Sequence, residues 1–98
     1  MIRVIIPTYL QRLANIEREI SFEISGVINI SYLIDLLEER YPMLKGTIRD
    51  HYTGERREYL RFFACGSDLS NNSLSDSLPQ EVLDGKEPFR IVGAMSGG

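Results

Sequence analysis

Alternating apolar and polar residues predict two strands at the start of the chain. The segment IRVIIPTYL (2–10) places Ile2, Val4 and Ile6 on one side, and a turn is predicted at QRLAN (11–15). The segment EREISFEI (17–24) alternates strictly, so one of its sides is apolar and the other polar. We expect these two strands to be half-buried and to pair with each other as a hairpin.

The period of the pattern then changes from that of a strand to that of a helix. The apolar residues of NISYLIDLLEERYP (29–42) share one helical face: Ile30, Leu33, Ile34, Leu37 and Tyr41. Asn29 is a suitable N-cap, and Pro42 stops the helix. A second helical turn is predicted around Leu44 and Ile48, followed by a polar loop.

Two further strands are predicted in the second half of the chain. The segment YLRFFACG (59–66) alternates until Gly66, and EPFRIVGA (87–94) is the last strand, with Phe89 and Ile91 on its inner side. The turn-rich stretch between them has room for a very short strand and one helical turn.

The order of these elements favours one fold class. Four or five strands and one long helix are too few for a sandwich or a doubly wound sheet, whereas one mixed sheet can wrap over the helix. The helix then supplies the crossover that parallel strands require. We predict an α+β fold of the β-grasp (ubiquitin-like) type, with a four- to five-stranded mixed sheet on one main helix. The domain would cover 1–94 and a flexible tail 95–98.

The composition of the chain argues against several classes of protein. The 98 residues carry a net charge of −3, which argues against general nucleic-acid binding because that function normally needs a basic surface. No apolar run approaches membrane-spanning length, and MIRVIIPTYL (1–10) lacks the pattern of a signal peptide. The single cysteine cannot form an internal disulfide. These features predict a cytoplasmic protein that binds neither nucleic acid nor a membrane.

The sequence ends in AMSGG (94–98), and two interpretations of the paired glycines are open. Chain ends are commonly frayed, and some carry a cloning remnant. Alternatively, the terminal carboxylate of Gly98 is the reactive group, because glycine lets a backbone approach an enzyme's site closely and bend within it. Extended, five residues would reach about 16 Å.

Four segments resemble, in the same order, the ubiquitin-like sulfur carriers of the MoaD, ThiS and CysO type, and most of all the CysO (cysteine-synthesis) type. These segments are IPTYL (6–10), LIDLLEERYPML (33–44), FFACGSDL (62–69) and LDGKEPFRIVGAMSGG (83–98). Three positions depart from the usual pattern of that family: Cys65 stands where Asn is common, Gly93 where Pro is common, and Pro88 where an apolar residue is common.

This resemblance implies a carrier and not an enzyme, with no bound cofactor and no metal site. A separate ATP-dependent adenylating enzyme, similar to MoeB or ThiF, would activate Gly98, and a sulfur donor would leave a C-terminal thiocarboxylate (1-thioglycine). An acceptor such as a cysteine synthase would take the sulfur, for cysteine or homocysteine, a secondary metabolite, thiamine or molybdopterin. A JAMM-type metalloprotease is a further candidate partner. The residues that would thread into the partners' sites are Ala94, Met95, Ser96, Gly97 and Gly98.

The side of the sheet away from the helix carries a predicted docking surface. In a β-grasp sheet the first, last and third strands are neighbours, so their outward residues would form one patch. The apolar members are Ile5, Phe63 and Val92, ringed by Arg3, Arg61 and Arg90. Aromatic and aliphatic residues with arginines nearby are common at interfaces, and they predict an apolar partner surface with an acidic rim. Scattered surface apolar residues are the alternative.

Other chemistry-bearing side chains are interpreted as structural or solvated. Cys65 at a strand end has no His or Lys nearby in the sequence to lower its pKa, so a persulfide role is disfavoured. His51 stands alone in a polar loop, which makes it a poor metal ligand. Asp35, Glu38 and Glu39 fall on the polar face of the helix, where we expect them to be solvated.

Three functions from different classes remain open at this point. The favoured one is a sulfur carrier that acts through Gly98. The second is a protein modifier joined through Gly98 to lysines, and the third is a non-covalent ubiquitin-like interaction module. Genomic neighbours, lysine-linked adducts in a lysate, and a homologue without the paired glycines would distinguish them.

Overall fold

A five-stranded mixed sheet covers one face of the main helix in the computed structural model, which describes residues 1–93. The strands are β1 (Ile2–Ile5), β2 (Glu19–Phe22), β3 (Leu60–Ala64), β4 (Ser67–Asp68) and β5 (Phe89–Gly93). The helices are α1 (Thr8–Ala14), α2 (Ile30–Arg40) and α3 (Gln80–Leu83), with a 3₁₀ turn at Pro42–Leu44. The predicted mixed sheet on one main helix is confirmed.

The first and last strands run parallel at the centre of the sheet. Val4 lies opposite Phe89, and Ile5 lies opposite Arg90. β2 pairs antiparallel with β1, β3 pairs antiparallel with β5, and the full order is β2-β1-β5-β3-β4. The predicted neighbours, namely the first, last and third long strands, are therefore correct.

The core lies between the sheet and α2, and the alternation in the sequence predicted which side of each long strand is buried. The buried strand residues are Ile2, Val4, Ile20, Phe22, Leu60, Phe62, Ala64, Phe89 and Ile91. α2 contributes Ile30, Leu33, Ile34 and Leu37. The rings of Phe62 and Phe89 lie with their centroids 5.3 Å apart, which places an aromatic pair between the two strands.

The ends of α2 form as the sequence predicts. The Asn29 side chain accepts a hydrogen bond of 2.7 Å from the Tyr32 N–H and so satisfies a donor that the first turn leaves unpaired. At the other end, Pro42 begins a 3₁₀ turn that buries Leu44.

The predicted turn at QRLAN (11–15) is wrong, because a helix, α1, connects β1 to β2. The chain leaves β1 at Ile5, and Pro7, with φ of −68°, precedes the first helical residue. Leu10 is buried, and Asn15 closes the helix in the left-handed conformation that favours Asn. β1 and β2 do pair, as predicted, but a helix and not a tight turn joins them.

A loop folds back over the polar face of α2, so the expectation of fully solvated carboxylates there is wrong for Glu38. The Arg49 guanidinium pairs with Glu38 at 2.9 Å and with Asp35, and it donates to the Ser31 hydroxyl at 3.2 Å. The Glu38 side chain is only 12% exposed. Glu39, on the same helix, is exposed as expected. Helical periodicity identifies a polar face but not the loop that covers it.

A two-residue turn joins β3 to β4. Ala64 pairs with Ser67 across the turn, and the residues between them, Cys65 and Gly66, have φ of 53° and 75°. Two consecutive positive φ values are the signature of a type I′ hairpin turn, in which Asn-Gly is the preferred pair. Cys65 therefore adopts a left-handed backbone conformation, which is energetically unfavourable for residues other than glycine.

These contacts predict how three helix substitutions will change stability. Leu37→Ala removes a fully buried side chain and should lower the free energy of unfolding by about 2–5 kcal/mol. Glu39→Ala changes an exposed residue two positions along, and it should alter stability by less than about 0.5 kcal/mol. Glu38→Ala should cost about 1 kcal/mol, because it removes a hydrogen-bonded partner of Arg49. Urea unfolding measures all three, and equal effects would contradict this packing of α2.

Candidate functional site

The residues of the predicted docking surface lie on the outer side of the three central strands. Ile5 lies opposite Arg90, which lies opposite Phe63, so these three form one row across the sheet. Val92 lies opposite Arg61 in the next row. The structure thus brings the predicted residues together, but Arg90 lies between Ile5 and Phe63 and not at the rim. The expected purely apolar centre does not form, because the register across three strands aligns an arginine with the apolar pair.

The three arginines of this surface have different surroundings. Arg3 donates to the carbonyl oxygens of Gly85 at 3.1 Å and Lys86 at 3.3 Å, and it pairs with Glu19 at 3.4 Å. It is therefore held by its own chain.

Arg61 pairs with Asp68 at 2.6 Å, whereas Arg90 is exposed. Within residues 1–93, the Arg90 guanidinium takes part in none of the side-chain hydrogen bonds or ion pairs. Arg90 is consequently the arginine of this surface that can pair with an acidic partner without first breaking an internal contact.

The carboxylate of Asp68 is strongly stabilised in its charged form. Hydrogen bonds from Ser70, together with the paired Arg61 guanidinium, lower the pKa of Asp68 to about 2. The Ser70 N–H donates to Asp68 at 2.8 Å, and the Ser70 hydroxyl oxygen accepts from the Phe62 N–H at 2.8 Å. Asp68 therefore fixes both Arg61 and the segment that follows β4.

β5 ends at Gly93, beside a tyrosine that the sequence analysis did not single out. A Cβ atom placed on Gly93 would lie 3.6 Å from the Cε1 of Tyr9. On the other side, Gly93 pairs with Leu60, and Tyr59 directly precedes Leu60. Tyr9 belongs to α1, which the sequence analysis took for strand and turn. Tyr9, Leu10, Leu13 and Ala14 at helical spacing after a proline are the signal that could have revealed it.

The residues predicted to thread into partner enzymes lie outside the described residues. They are Ala94, Met95, Ser96, Gly97 and Gly98. Their roles, and the division of the chain after residue 94, stay predictions.

Cys65 and His51 show no arrangement that favours catalysis. The Cys65 thiol is exposed, and desolvation together with the nearby Glu81 and Glu87 carboxylates raises its pKa. A nucleophilic thiol needs the opposite shift. The ring of His51 is exposed and lies edge-on to Tyr52, with centroids 5.3 Å apart.

The part of the chain that the structure describes contains neither a cluster of metal ligands nor a membrane-spanning helix. Within residues 1–93, no three or more His, Cys, Asp or Glu side chains lie close enough together to hold a metal ion. No helix in that range is both long enough and apolar enough to cross a membrane.

Two solved structures share this fold along their whole length. CysO in the crystal structure of the Amycolatopsis orientalis BexX/CysO complex superposes with a TM-score of 0.75 at 19% sequence identity, covering 100% of both chains. SAMP1 from Haloferax volcanii superposes with a TM-score of 0.73 at 15% identity, covering 99% of this chain and 98% of SAMP1. No protein-family model and no curated protein matches the sequence.

These likenesses establish the fold. The chain is a β-grasp (ubiquitin-like) protein, as its element order predicts. CysO, the type that the sequence most resembles, is among the structural neighbours, so that resemblance is confirmed at the level of the fold.

The lowered pKa of Asp68 predicts a specific dependence of stability on pH. Because the pKa is about 2 in the folded chain and 3.8 in the reference state, the charged carboxylate stabilises the fold above pH 4. This stabilisation should disappear as the pH falls from about 4 to 2. Thermal unfolding of Asp68→Asn should therefore show a lower Tm than wild type at pH 6, with most of the difference gone by pH 2. A difference that stays constant with pH would contradict the role given to Asp68.

Proposed function

We propose that this chain is a cytoplasmic sulfur carrier whose reactive group is the carboxylate of Gly98. A separate enzyme transfers AMP from ATP to that carboxylate and releases pyrophosphate. A sulfur donor then attacks the acyl carbon, AMP leaves, and a C-terminal thiocarboxylate remains. The chain supplies no catalytic side chain; the partner enzyme supplies the nucleotide chemistry.

One observation carries this proposal: the chain has the fold of CysO over 100% of both chains, and its sequence places Gly97-Gly98 after the last strand. The last strand, β5, occupies the centre of the sheet and reaches Gly93, five residues before Gly98. Those five residues can span about 16 Å, which suffices to bring an acyl group from the sheet into a partner's site.

The outer side of the sheet supports a docking role for the folded body. Ile5 and Phe63 are half-buried and Val92 is 40% exposed, so apolar area is available beside the guanidinium of Arg90, which pairs with no side chain within residues 1–93. Such a surface fits a partner that offers apolar side chains and at least one carboxylate opposite Arg90. We assign this surface to the adenylating enzyme.

The acceptor of the sulfur is a second partner of the proposed carrier. CysO, one of the structural neighbours, was crystallised in a complex with BexX. We propose by analogy that this chain also docks on an enzyme that consumes its sulfur, such as a cysteine synthase or an enzyme of secondary metabolism.

The terminal glycine provides the central test. Deletion of Gly98, or addition of one alanine after it, should abolish thiocarboxylate formation because either change moves the acyl carbon by about 3.3 Å. Small misplacements of a reacting atom are costly. The measurement is intact-protein mass after incubation with ATP, the adenylating enzyme and sulfide. Wild type should show one oxygen replaced by sulfur, and both variants should keep the wild-type Tm.

The outcome separates the proposed function from its alternatives. If the alanine-extended chain forms the thiocarboxylate as fast as wild type, with no protease present to trim it, Gly98 is not the reactive group. If lysine-linked adducts form in a lysate while no thiocarboxylate does, the chain is a protein modifier. Both reactions begin with the same acyl-adenylate, so only the attacking nucleophile distinguishes them.

The docking surface has its own test. Phe63→Asp should weaken binding to the adenylating enzyme by about 2 kcal/mol or more, as expected for an aromatic residue near the centre of an interface. Tyr52→Asp is the matched control, because Tyr52 is 93% exposed in the loop between α2 and β3. Calorimetric titration measures the affinity, and thermal unfolding verifies the fold. Unchanged affinity in a folded Phe63→Asp variant would remove this surface from the mechanism.

A further inference from the structure

The sheet has two open edges, and β2 forms the longer of them. β4, at one edge, has two residues, whereas β2, at the other, has four. An open edge presents N–H and C=O groups to which another strand can add, so natural proteins shorten, charge or cover their edge strands. The short length of β4 limits such pairing there, but β2 is long enough to need another form of protection.

The register of β1 and β2 identifies the backbone groups on the open edge. The Ile6 N–H donates to the Arg18 carbonyl oxygen at 2.8 Å, so the hydrogen-bonded pairs with β1 fall on every second residue counted from Arg18. The N–H and C=O groups of Glu19 and Ser21 therefore point away from β1. Within residues 1–93, no backbone hydrogen bond joins Glu19 or Ser21 to an element beyond this edge.

The side chain of Arg40, at the end of α2, covers the open edge of β2. Its Nη1 donates to the Ser21 carbonyl oxygen at 2.9 Å, and its guanidinium carbon lies 4.1 Å from the centroid of the Phe22 ring. Arg40 is thus held by a charge-assisted hydrogen bond and by a cation–π contact with a buried ring. A strand that added to β2 would need the same carbonyl oxygen of Ser21.

A second copy of this chain has an edge that is complementary to this one. Two antiparallel β2 strands related by a twofold axis can pair Glu19 of each copy with Ser21 of the other. This register places Ile20 opposite its own copy, and it sets no like charges directly opposite each other. The edge is therefore self-complementary, and Arg40 occupies one of the acceptors through which two copies would pair.

We propose that Arg40 keeps the β2 edge closed to strand addition, and that a second copy of this chain adds to the edge when the guanidinium is removed. The protein is a monomer because one side chain occupies the acceptor through which the sheet would continue into a second copy. This role is independent of the reaction proposed for Gly98, because every contact that carries it lies within residues 2–40.

Sedimentation velocity of Arg40→Met and Arg40→Ala over a range of protein concentrations measures self-association. Methionine keeps an unbranched apolar side chain beside the Phe22 ring and removes the donor, so this variant should stay folded even if alanine destabilises the chain. Wild type should sediment as a monomer. The variants should associate at least about tenfold more tightly, because a hydrogen bond from a charged group contributes about a factor of ten or more. Thermal unfolding verifies the fold.

Ser21→Pro in the Arg40→Met background tests whether the copies associate through this edge. Proline removes an outward N–H that an added strand would need, and an edge strand tolerates that loss, so the double variant should return to the monomer. Arg40→Lys retains a donor and should remain monomeric. Arg12→Ala is the matched control, because it removes an exposed arginine from α1, and it should also remain monomeric.

Three outcomes would overturn the proposal: a folded Arg40→Met variant that associates no more than wild type, a wild type that already forms the same dimer, or a dimer that persists in the Ser21→Pro double variant. Amide hydrogen exchange gives an independent readout. In Arg40→Met, the Ser21 N–H should exchange more slowly as the protein concentration rises. Exchange that does not depend on concentration would contradict pairing at this edge.

Discussion

The parallel pairing of β1 with β5 is the constraint on which the rest of the structure depends. Parallel neighbours cannot be joined by a tight turn, so the chain between them must travel across one face of the sheet before it returns. That path places α2 against the inner side and leaves the outer side open. It also places the last strand at the centre of the sheet, where its end is flanked on both sides by other elements.

The two sides of the sheet consequently differ in composition and in what they contact. The inner side is almost entirely apolar and is buried against α2, which supplies the hydrophobic free energy of folding. The outer side carries charged residues, and most of its charge is satisfied internally: Arg3 binds carbonyl oxygens of the α3–β5 connection, and Arg61 pairs with Asp68. Arg90, on the central strand, pairs with no side chain within residues 1–93.

Local sequence patterns predicted the features of this fold that depend on local periodicity. Alternation identified the buried sides of the strands because a strand's side-chain period is fixed by its backbone. Two features that the sequence analysis did not predict have non-local causes. Arg49 covers Glu38 from a loop eleven residues along the chain, and Arg90 separates Ile5 from Phe63 only once the register of three strands is set. α1 was missed because its Leu10 continues the apolar run of β1 past Pro7, and Tyr9 was missed with it.

The Cys65–Gly66 turn lies at the end of β3 remote from Leu60, and therefore at the end of the sheet remote from Gly93. The four-residue separation along the strand corresponds to about 14 Å. Because the sequence holds one cysteine and its thiol is exposed, a maleimide-linked spin label or fluorophore attaches at a single defined site. The raised pKa of the thiol calls for a mildly alkaline coupling buffer. The protein thus carries a built-in spectroscopic reference point from which distances to its C-terminal residues can be measured.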